Sequence, residues 1–324
     1  MRKRLTTLLL TASVLAISSW FASTAKAGPP DPELLADINQ DTADSDAAYA
    51  PVVTGGIAFF GANDGRQGDE LWKSDGTGAG TVMVKDINPG SGHSYPDNFT
   101  VMGGLVYFAA DDGTHGVELW VSDGTEAGTQ MVKDINGGGS AELDELTVVG
   151  NTLYFAATDG SHGEELWKSD GTAGGTVMVQ NLNGSQDSFG GELVAFNSGV
   201  FFPADDGTHG EELWKSDGTG TGTQMVKDIN PGSDGSNPGP LTVAGSQLFF
   251  GADDGSHPGA LWVSDGTKTG TNMVKDIDST DGYDLGELHS MGGQLYFGGS
   301  ENVHGTELWR SDGTLTGTVM VKDI

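Results

Sequence analysis

Short apolar runs alternate with polar, glycine-rich segments along almost the whole chain after residue 50. In the stretch from 146 to 182, these runs are Leu146–Val149, Leu153–Ala157, Glu164–Ser169 and Val177–Leu182. Runs of about five residues that are rich in Val, Tyr, Phe and Trp, and are separated by Gly, Asp and Asn, predict antiparallel strands. The sequence shows no amphipathic helical spacing, and its 53 glycines disfavour long helices. The pattern therefore predicts an all-β unit of four strands.

The same unit recurs six times, and each copy contains the segment Leu-Trp-x-Ser-Asp-Gly-Thr-x-x-Gly-Thr. Its tryptophan stands at positions 72, 120, 167, 214, 262 and 309, so the repeat is 47 or 48 residues long. Four strands in each of six such repeats predict a six-bladed β-propeller. An open array of small sheets or a β-solenoid is the alternative, although solenoid coils are usually shorter. We expect the Trp and the second-strand aromatic residues to pack between neighbouring blades.

The motif Glu-Leu-Trp-Lys-Ser-Asp-Gly-Thr at 70–77, with its five successors, resembles the ELWxxDGT repeat family of secreted bacterial proteins. The resemblance covers residues 57–324, which is nearly all of the chain after its leader. It implies export and a repeat fold, but it implies no activity because the function of that family is poorly defined. The fifth copy departs from the motif, with Ala260 in the position of the glutamate.

The first 27 residues predict a secretory signal peptide, with a basic start at Arg2–Arg4, an apolar centre and a cleavage site at Ala25–Ala27. A membrane anchor is disfavoured because the apolar run is short and is broken by Thr and Ser. Residues 28–50 are predicted to form an entry segment, and residues 51–324 the propeller. The protein is therefore expected outside the cytoplasm (extracellular, on the cell surface or in the periplasm), with no transmembrane segment.

The composition excludes several classes of function. The net charge is −31, and loss of the four basic residues of the leader would make it −31 − 4 = −35. Such acidity argues against a nucleic-acid partner, because phosphate recognition needs a basic face. It is typical of solubility, divalent-cation affinity or life in high salt. The absence of cysteine excludes disulfides, a cysteine nucleophile and thiolate-bound zinc.

The Asp-Gly-Thr-x-x-Gly-Thr segment joins the third and fourth strands, and we interpret it as a structural turn. The Asp carboxylate is expected to accept backbone N–H groups, as in many turns. Both glycines are expected to adopt a positive φ, and the Thr hydroxyls to cap the loop.

The loop between the second and third strands is the candidate for ligand chemistry. It carries Asp, His and Glu in most copies, with histidine at 115, 162, 209, 257 and 304 and Gln67 in the first copy. These loops and the links between blades are expected on one side of the propeller, where they would form an acidic face. In the alternative interpretation, Asp makes the turn, His bonds the backbone of a neighbouring blade, and Glu is solvated or pairs with Lys.

Calcium is the candidate ion for this face, because it takes six to eight oxygen ligands in a flexible shell. The spacing matches neither an EF-hand nor the nonapeptide calcium repeat. Zinc and copper are disfavoured, since single histidines one blade apart are too distant to share an ion. The candidate calcium ligands are Asp64, Glu70, Asp112, Glu118, Asp159, Glu165, Asp206 and Glu212.

A catalytic site would be sought among residues outside the repeat pattern, because one substrate meets one asymmetric cluster. Those residues are Arg66, His93, Tyr95, Tyr283, His289 and Glu301, and they form no recognisable triad, carboxylate pair or phosphate loop. We therefore predict an exported, non-enzymatic binding or scaffolding protein, whose acidic loops bind a protein or carbohydrate ligand. A calcium-binding adhesion-type surface protein and a hydrolase or lyase on a propeller scaffold are the alternatives.

The sequence contains one more copy of the fourth strand than of the Trp strand. Residues Leu34–Asn39 match Met83–Asn88, so seven copies of this strand accompany six Trp strands. The extra copy could add as a fifth strand, pair with another molecule, or leave the ring open. An unpaired edge strand is a site of self-association.

Overall fold

The structure, a computed structural model, describes residues 36–39, 45, 51–277, 285–301 and 303–324. These residues form six four-stranded antiparallel sheets, each built from four successive strands. The all-β, six-bladed propeller predicted from the repeats is confirmed. No helix in this described part of the chain has the length and apolarity needed to cross a bilayer.

The strands of blades 1 to 3 are β1 (Val52–Thr54), β2 (Ile57–Asn63), β3 (Asp69–Ser74), β4 (Val82–Lys85), β5 (Asp97–Met102), β6 (Leu105–Asp111), β7 (Val117–Ser122), β8 (Gln130–Lys133), β9 (Asp144–Val149), β10 (Thr152–Ala157), β11 (Glu165–Ser169) and β12 (Val177–Met178). Those of blades 4 to 6 are β13 (Val194–Phe196), β14 (Gly199–Asp205), β15 (Glu211–Ser216), β16 (Gln224–Lys227), β17 (Gly239–Ala244), β18 (Gln247–Ala252), β19 (Ala260–Ser264), β20 (Asn272–Lys275), β21 (Leu285–Met291), β22 (Gln294–Glu301), β23 (Gly305–Ser311) and β24 (Val319–Lys322). Each strand pairs with the next along the chain within its blade.

The fourth strand of the third repeat is shorter than predicted, since it ends at Met178 rather than at Leu182. Beyond Met178, the backbone leaves the regular ladder, although Val179 N–H still donates to the Leu166 carbonyl at 2.8 Å. The N–H of Leu182 donates instead to the side-chain carboxylate of Glu165, at 3.2 Å. A side chain of the neighbouring strand therefore replaces the ladder bonds at this end.

The repeated turn is structural, as predicted, with one difference at its second glycine. In blade 3, the Asp170 carboxylate accepts the Thr172 N–H at 2.9 Å and the Thr172 hydroxyl at 2.7 Å. The Thr176 hydroxyl in turn donates to the Thr172 carbonyl. Gly171 has φ +89°, but Gly175 does not have a positive φ. Gly175 is required by close approach, because a Cβ there would lie 2.0 Å from an Asp170 carboxylate oxygen.

Replacing Gly175 with alanine is expected to lower the free energy of unfolding by about 2 kcal/mol, because the new methyl group displaces the Asp170 cap. The adjacent Gly174→Ala change is the matched control, since a Cβ at Gly174 meets nothing within 4 Å. That change should be neutral or slightly stabilising. Urea unfolding of both variants measures the difference, and equal stabilities would contradict the close-approach argument.

Successive blades are joined by five apolar clusters. The first combines Phe59 and Leu71 of blade 1 with Phe108 and Trp120 of blade 2. We call the side of a blade that carries the positions of Phe59 and Leu71 its outgoing face. The side that carries the positions of Phe108 and Trp120 is its incoming face. The prediction that repeated aromatic residues pack between blades is confirmed. Among the described residues, no such cluster joins blade 6 to blade 1.

Candidate functional site

The aspartates of the acidic loops close their own turns. In blade 2, the Asp112 carboxylate accepts the N–H groups of Thr114 and His115, both at 2.9 Å. The His115 ring Nδ1 lies 2.8 Å from the same carboxylate. Asp159, Asp206 and Asp254 repeat these contacts with their histidines at 2.9, 2.9 and 3.0 Å. In blade 1, Asp64 accepts the N–H groups of Arg66 and Gln67. The histidine therefore bonds its own loop and not the neighbouring blade.

These contacts shift the pKa of both partners. Partial burial pushes the pKa of Asp112 upward, but the hydrogen bonds from the N–H and ring of His115 outweigh it, so the pKa lies below the ordinary value. The hydrogen bond to Asp112, helped by its charge, raises the pKa of His115. The pair is therefore favoured as a carboxylate with an imidazolium ring.

The glutamates of the motif are buried in blades 1 to 4, which the sequence did not indicate. Glu118 is fully inaccessible. Its carboxylate accepts the Ile135 N–H at 2.8 Å and the Asn136 N–H at 3.2 Å. It thus ties the start of the third strand to the chain that follows the fourth strand. The prediction that this glutamate is solvated or pairs with lysine is wrong, because backbone N–H groups are its partners.

The same contact recurs in three other blades. Glu70 accepts the N–H groups of Ile87 and Asn88, and Glu212 those of Ile229 and Asn230. Glu165 accepts the Leu182 N–H. In blade 5 the position is held by Ala260, which is also buried. In blade 6, Glu307 accepts the Ile324 N–H at 3.2 Å in a partly exposed setting.

Burial raises the pKa of Glu70 and of Glu118 to about 7, against the hydrogen bonds that favour their charged form. It also raises the pKa of Glu165 and Glu212. The negative charge of Asp134 adds to the effect at Glu118.

These shifts predict stability that falls between pH 5 and pH 8. A group with a raised pKa stabilises the fold fully below its unfolded pKa, which is 4.5 for Glu70 and Glu118, and loses that contribution as pH rises through its folded pKa. The raised pKa of His115 also makes stability fall as pH rises, at higher pH than the glutamates. The lowered pKa of Asp112 changes stability only at pH values below its ordinary pKa of 3.8. The midpoint of thermal unfolding should therefore be several degrees higher at pH 5 than at pH 8. Glu118→Gln should reduce this difference in midpoint. A wild-type midpoint that is higher at pH 8 than at pH 5 would contradict the prediction.

The calcium candidates do not lie in a shared pocket of carboxylates. Within the described ranges, no group of three or more Asp, Glu or His side chains is placed to hold a metal ion. Calcium binding stays a prediction of the sequence. Thermal unfolding in EDTA, in calcium and in magnesium at matched ionic strength is the measurement that tests it. A rise specific to calcium would confirm the ion, and equal midpoints would rule it out.

The irregular residues that the structure describes lie in separate places and are not brought together at one site. His93 Nδ1 lies 2.5 Å from the Asp69 carboxylate, and its ring stacks on Tyr95 at 5.1 Å. His289 is 3.4 Å from Glu287 on an exposed surface. Glu301 pairs with the loop histidine of its own blade, His304. Tyr283 lies outside the described residues. These pairs are separate and local, and no hydrogen bond in the described part of the chain joins one of these histidines to a serine hydroxyl.

Sequence reasoning missed two glutamates, one on the first strand of blade 3 and one just before the first strand of blade 4. Glu145 and Glu192, which lie outside the repeated motif, accept backbone N–H groups of the next blade, from Leu193 at 3.3 Å and Leu241 at 2.8 Å. Burial raises the pKa of both glutamates. No motif marks these positions, because their partners are backbone groups about 48 residues away.

A polar cleft of about 370 Å³ lies between blades 4 and 5. Its lining includes Asn197, Lys215, Asp217 and Gln224. Asn197 has φ +50° and donates to the Asp265 carbonyl at 2.9 Å. Asn197 stands where the other five blades have glycine at the first position of this turn, and this is the sequence signal that could have found the cleft.

Comparison with known proteins relates this chain to peptidases by fold. Neither a protein-family profile nor a curated protein sequence matches it. Among solved structures, it is similar to a puromycin hydrolase (14% identity, TM-score 0.51) and to oligopeptidase B from Leishmania major (15% identity, TM-score 0.50). Both matches cover 85% of this chain, but 45% and 42% of the respective peptidase chains. The chain thus spans less than half the length of the structures that it matches, and the likeness shows the propeller fold.

The prediction of a non-enzymatic binding or scaffolding protein with a ligand face of acidic loops is wrong. The solved structures named above, which share the fold, are a puromycin hydrolase and an oligopeptidase. The acidic side chains that were to form the ligand face bond the protein's own backbone and histidines instead. The physical reason is internal pairing, because the buried Glu118 is matched to backbone N–H groups and Asp112 closes its own turn.

Proposed function

We propose that this chain serves peptide hydrolysis, as the propeller domain of a peptidase. The observation that supports the proposal is the fold match over 85% of the chain with two peptidase structures, each of which is more than twice the matched length. The remainder of such an enzyme would carry the chemistry. The predicted leader at residues 1–27, which lies outside the described residues, supports action outside the cytoplasm.

The catalytic groups are assigned to a domain or chain outside the six blades. Hydrolysis of an amide needs a nucleophile, a base that takes its proton, and donors for the oxyanion. The loop histidines of the blades are held by aspartates of their own loops, as His115 is by Asp112. The buried glutamates, such as Glu118, are closed off from solvent and accept backbone N–H groups. Neither set is arranged to attack or protonate a bound peptide.

The experiment compares the purified chain with the assembly that forms in its native host. Alone, the protein should release no fluorescence from a mixture of internally quenched peptides. Affinity purification of the tagged chain from the host should recover activity on the same peptides, together with a protein labelled by a fluorophosphonate probe. A tagged, unrelated acidic protein from the same host is the control. Eluates without peptide hydrolysis above that control would reject the proposal.

A further inference from the structure

The outgoing face of blade 6 is uncovered, although the motif leucine of that face is buried in every other blade. Leu308 is 44% exposed, whereas the equivalent leucines of blades 1 to 5 are 0 to 2% exposed. Val321 and Ile324 are 47% and 95% exposed, and their counterparts Val84 and Ile87 are 7% and 4% exposed. Tyr296 is also only partly buried. Four apolar positions that form an interface elsewhere in the chain thus face solvent together.

The incoming face of blade 1 is the matching half of that interface, and it is also incompletely covered. Phe60 and Trp72 are partly exposed. Their equivalents in the other blades are at most 1% exposed for the phenylalanine and at most 7% for the tryptophan. The chain therefore leaves both halves of one blade-to-blade interface open within the described residues.

The described part of the extra fourth-strand copy lies against one end of the incoming face of blade 1. The side chain of Asn39 lies against Gly65, where a Cβ would be 2.8 Å from its oxygen, and Asn88 lies in the same way against Gly113 of blade 2. The Ser45 carbonyl accepts the Asn63 N–H, as the Ser94 carbonyl accepts the N–H of Asp111. Residues 36–39 and 45 thus act as the end of an absent preceding blade, and we call residues 36–39 the cap.

The cap is an incomplete substitute for a blade. In the first interface, Lys85 of the fourth strand donates to the Thr129 carbonyl at 2.7 Å and lies 5.6 Å from the centre of the Trp120 ring. Lys133, Lys227 and Lys275 make the same pair of contacts. The cap has Ala36 at this position. Alanine has no amine, so it can neither donate a hydrogen bond to a carbonyl of blade 1 nor make a cation–π contact with Trp72. Blade 6 has the lysine, at Lys322, followed by the same Asp-Ile pair as the cap.

We propose that the outgoing face of blade 6 binds the incoming face of blade 1 of a second copy of this chain, and that residues 319–324 displace the cap there. Tyr296, Leu308 and Val321 would then be buried as their counterparts are, and Lys322 would lie on the partner's Trp72 ring. The surface continues five interfaces already present within the chain, which identifies its partner as a blade of the same repeat. Because the two faces differ, the contact is head-to-tail and can extend over many copies.

The cap and the protein's charge set the conditions of the measurement. An intramolecular segment competes at an effective concentration in the millimolar range, so the cap opposes association. The net charge of −31 also opposes it, and this repulsion is screened within about 3 Å at 1 M salt. Sedimentation velocity of the full chain in 0.15 and 1 M NaCl, over about 1 to 100 µM protein, covers the range of weak interfaces.

Four proteins make the test decisive. The wild-type chain should form larger species as its concentration rises, and more so in 1 M NaCl. Ile38→Asp, which loosens the cap, should produce them at roughly tenfold lower concentration, since it removes the competitor. Leu308→Asp should remain monomeric throughout. Val303→Asp introduces the same charge at an 82% exposed site of the same blade that is outside the face, and should behave as wild type.

Two results would overturn the proposal. If the wild-type and Ile38→Asp proteins stay monomeric in 1 M NaCl at the highest concentration, a second copy does not bind this face. A chain that closes its own ring would give the same result and would equally overturn the proposal. Association of Leu308→Asp equal to that of Val303→Asp would show that another surface is responsible. Circular dichroism of each variant verifies that the propeller is folded.

Discussion

Replacing Glu118 with alanine is expected to lower the free energy of unfolding by about 3 kcal/mol at pH 7. Its buried carboxylate accepts two backbone N–H groups, from Ile135 and Asn136, and its loss leaves both without that acceptor. A buried donor left unpaired costs about 1 to 3 kcal/mol, and two donors share this acceptor. Urea unfolding followed by tryptophan fluorescence measures the change.

The chain provides its own control for this prediction. Glu307 occupies the same motif position in blade 6, where it accepts the Ile324 N–H in a partly exposed setting. Water can take over that N–H when the side chain is removed, so Glu307→Ala should change the free energy of unfolding by about 0.5 kcal/mol or less. Similar losses in the two variants would show that burial does not determine the role of the glutamate. Blade 5, with Ala260 in place of glutamate, shows that one blade is built without the carboxylate.

Leu213→Ala is expected to have an effect of similar size, about 3 to 4 kcal/mol. Leu213 is fully buried in the cluster between blades 4 and 5, where it packs with Phe250 and Trp262. Truncation leaves a cavity between two rigid sheets, and rigid sheets cannot collapse to fill it. The free energy of unfolding from urea titration is again the quantity to compare.

Leu308→Ala is the matched change on the uncovered face of blade 6. With 44% of its surface already exposed, Leu308 gains less from burial, and its loss should cost about 1 kcal/mol in dilute protein. The contrast between the two leucines is the test. Equal losses would mean that Leu308 is covered in solution, as it would be at a protein concentration that supports the contact between copies.

Much of the fold could be predicted because its determinants are local and repeated. The hydrogen bonds that shape the turn at Asp170–Thr176 join residues of that same seven-residue segment. The apolar runs of each repeat are short and are bounded by turn residues, so strand number and order follow directly from their spacing. Even there, the reason for Gly175 was mistaken, because the close approach of the Asp170 carboxylate exists only in the folded turn.

The candidate site could not be predicted to the same degree. The sequence singled out Asp112 and Glu118 as two carboxylates of one loop, and it treated them alike. In the structure, Asp112 caps the loop and pairs with a histidine, whereas Glu118 is buried and binds N–H groups 17 and 18 residues away. Backbone donors are the same at every residue, so no pattern of side chains reveals which of them a glutamate will meet.

The sequence by itself determined the number of blades, the strands within them and the aromatic layers that join them, because these follow from a motif repeated six times. Only the tertiary structure decided what each copy of the motif does. Leu213 and Leu308 have the same neighbours in sequence, yet one is fully buried and the other is 44% exposed. The difference arises from whether another blade packs against the outgoing face, since burial depends on the neighbouring blade and not on the motif.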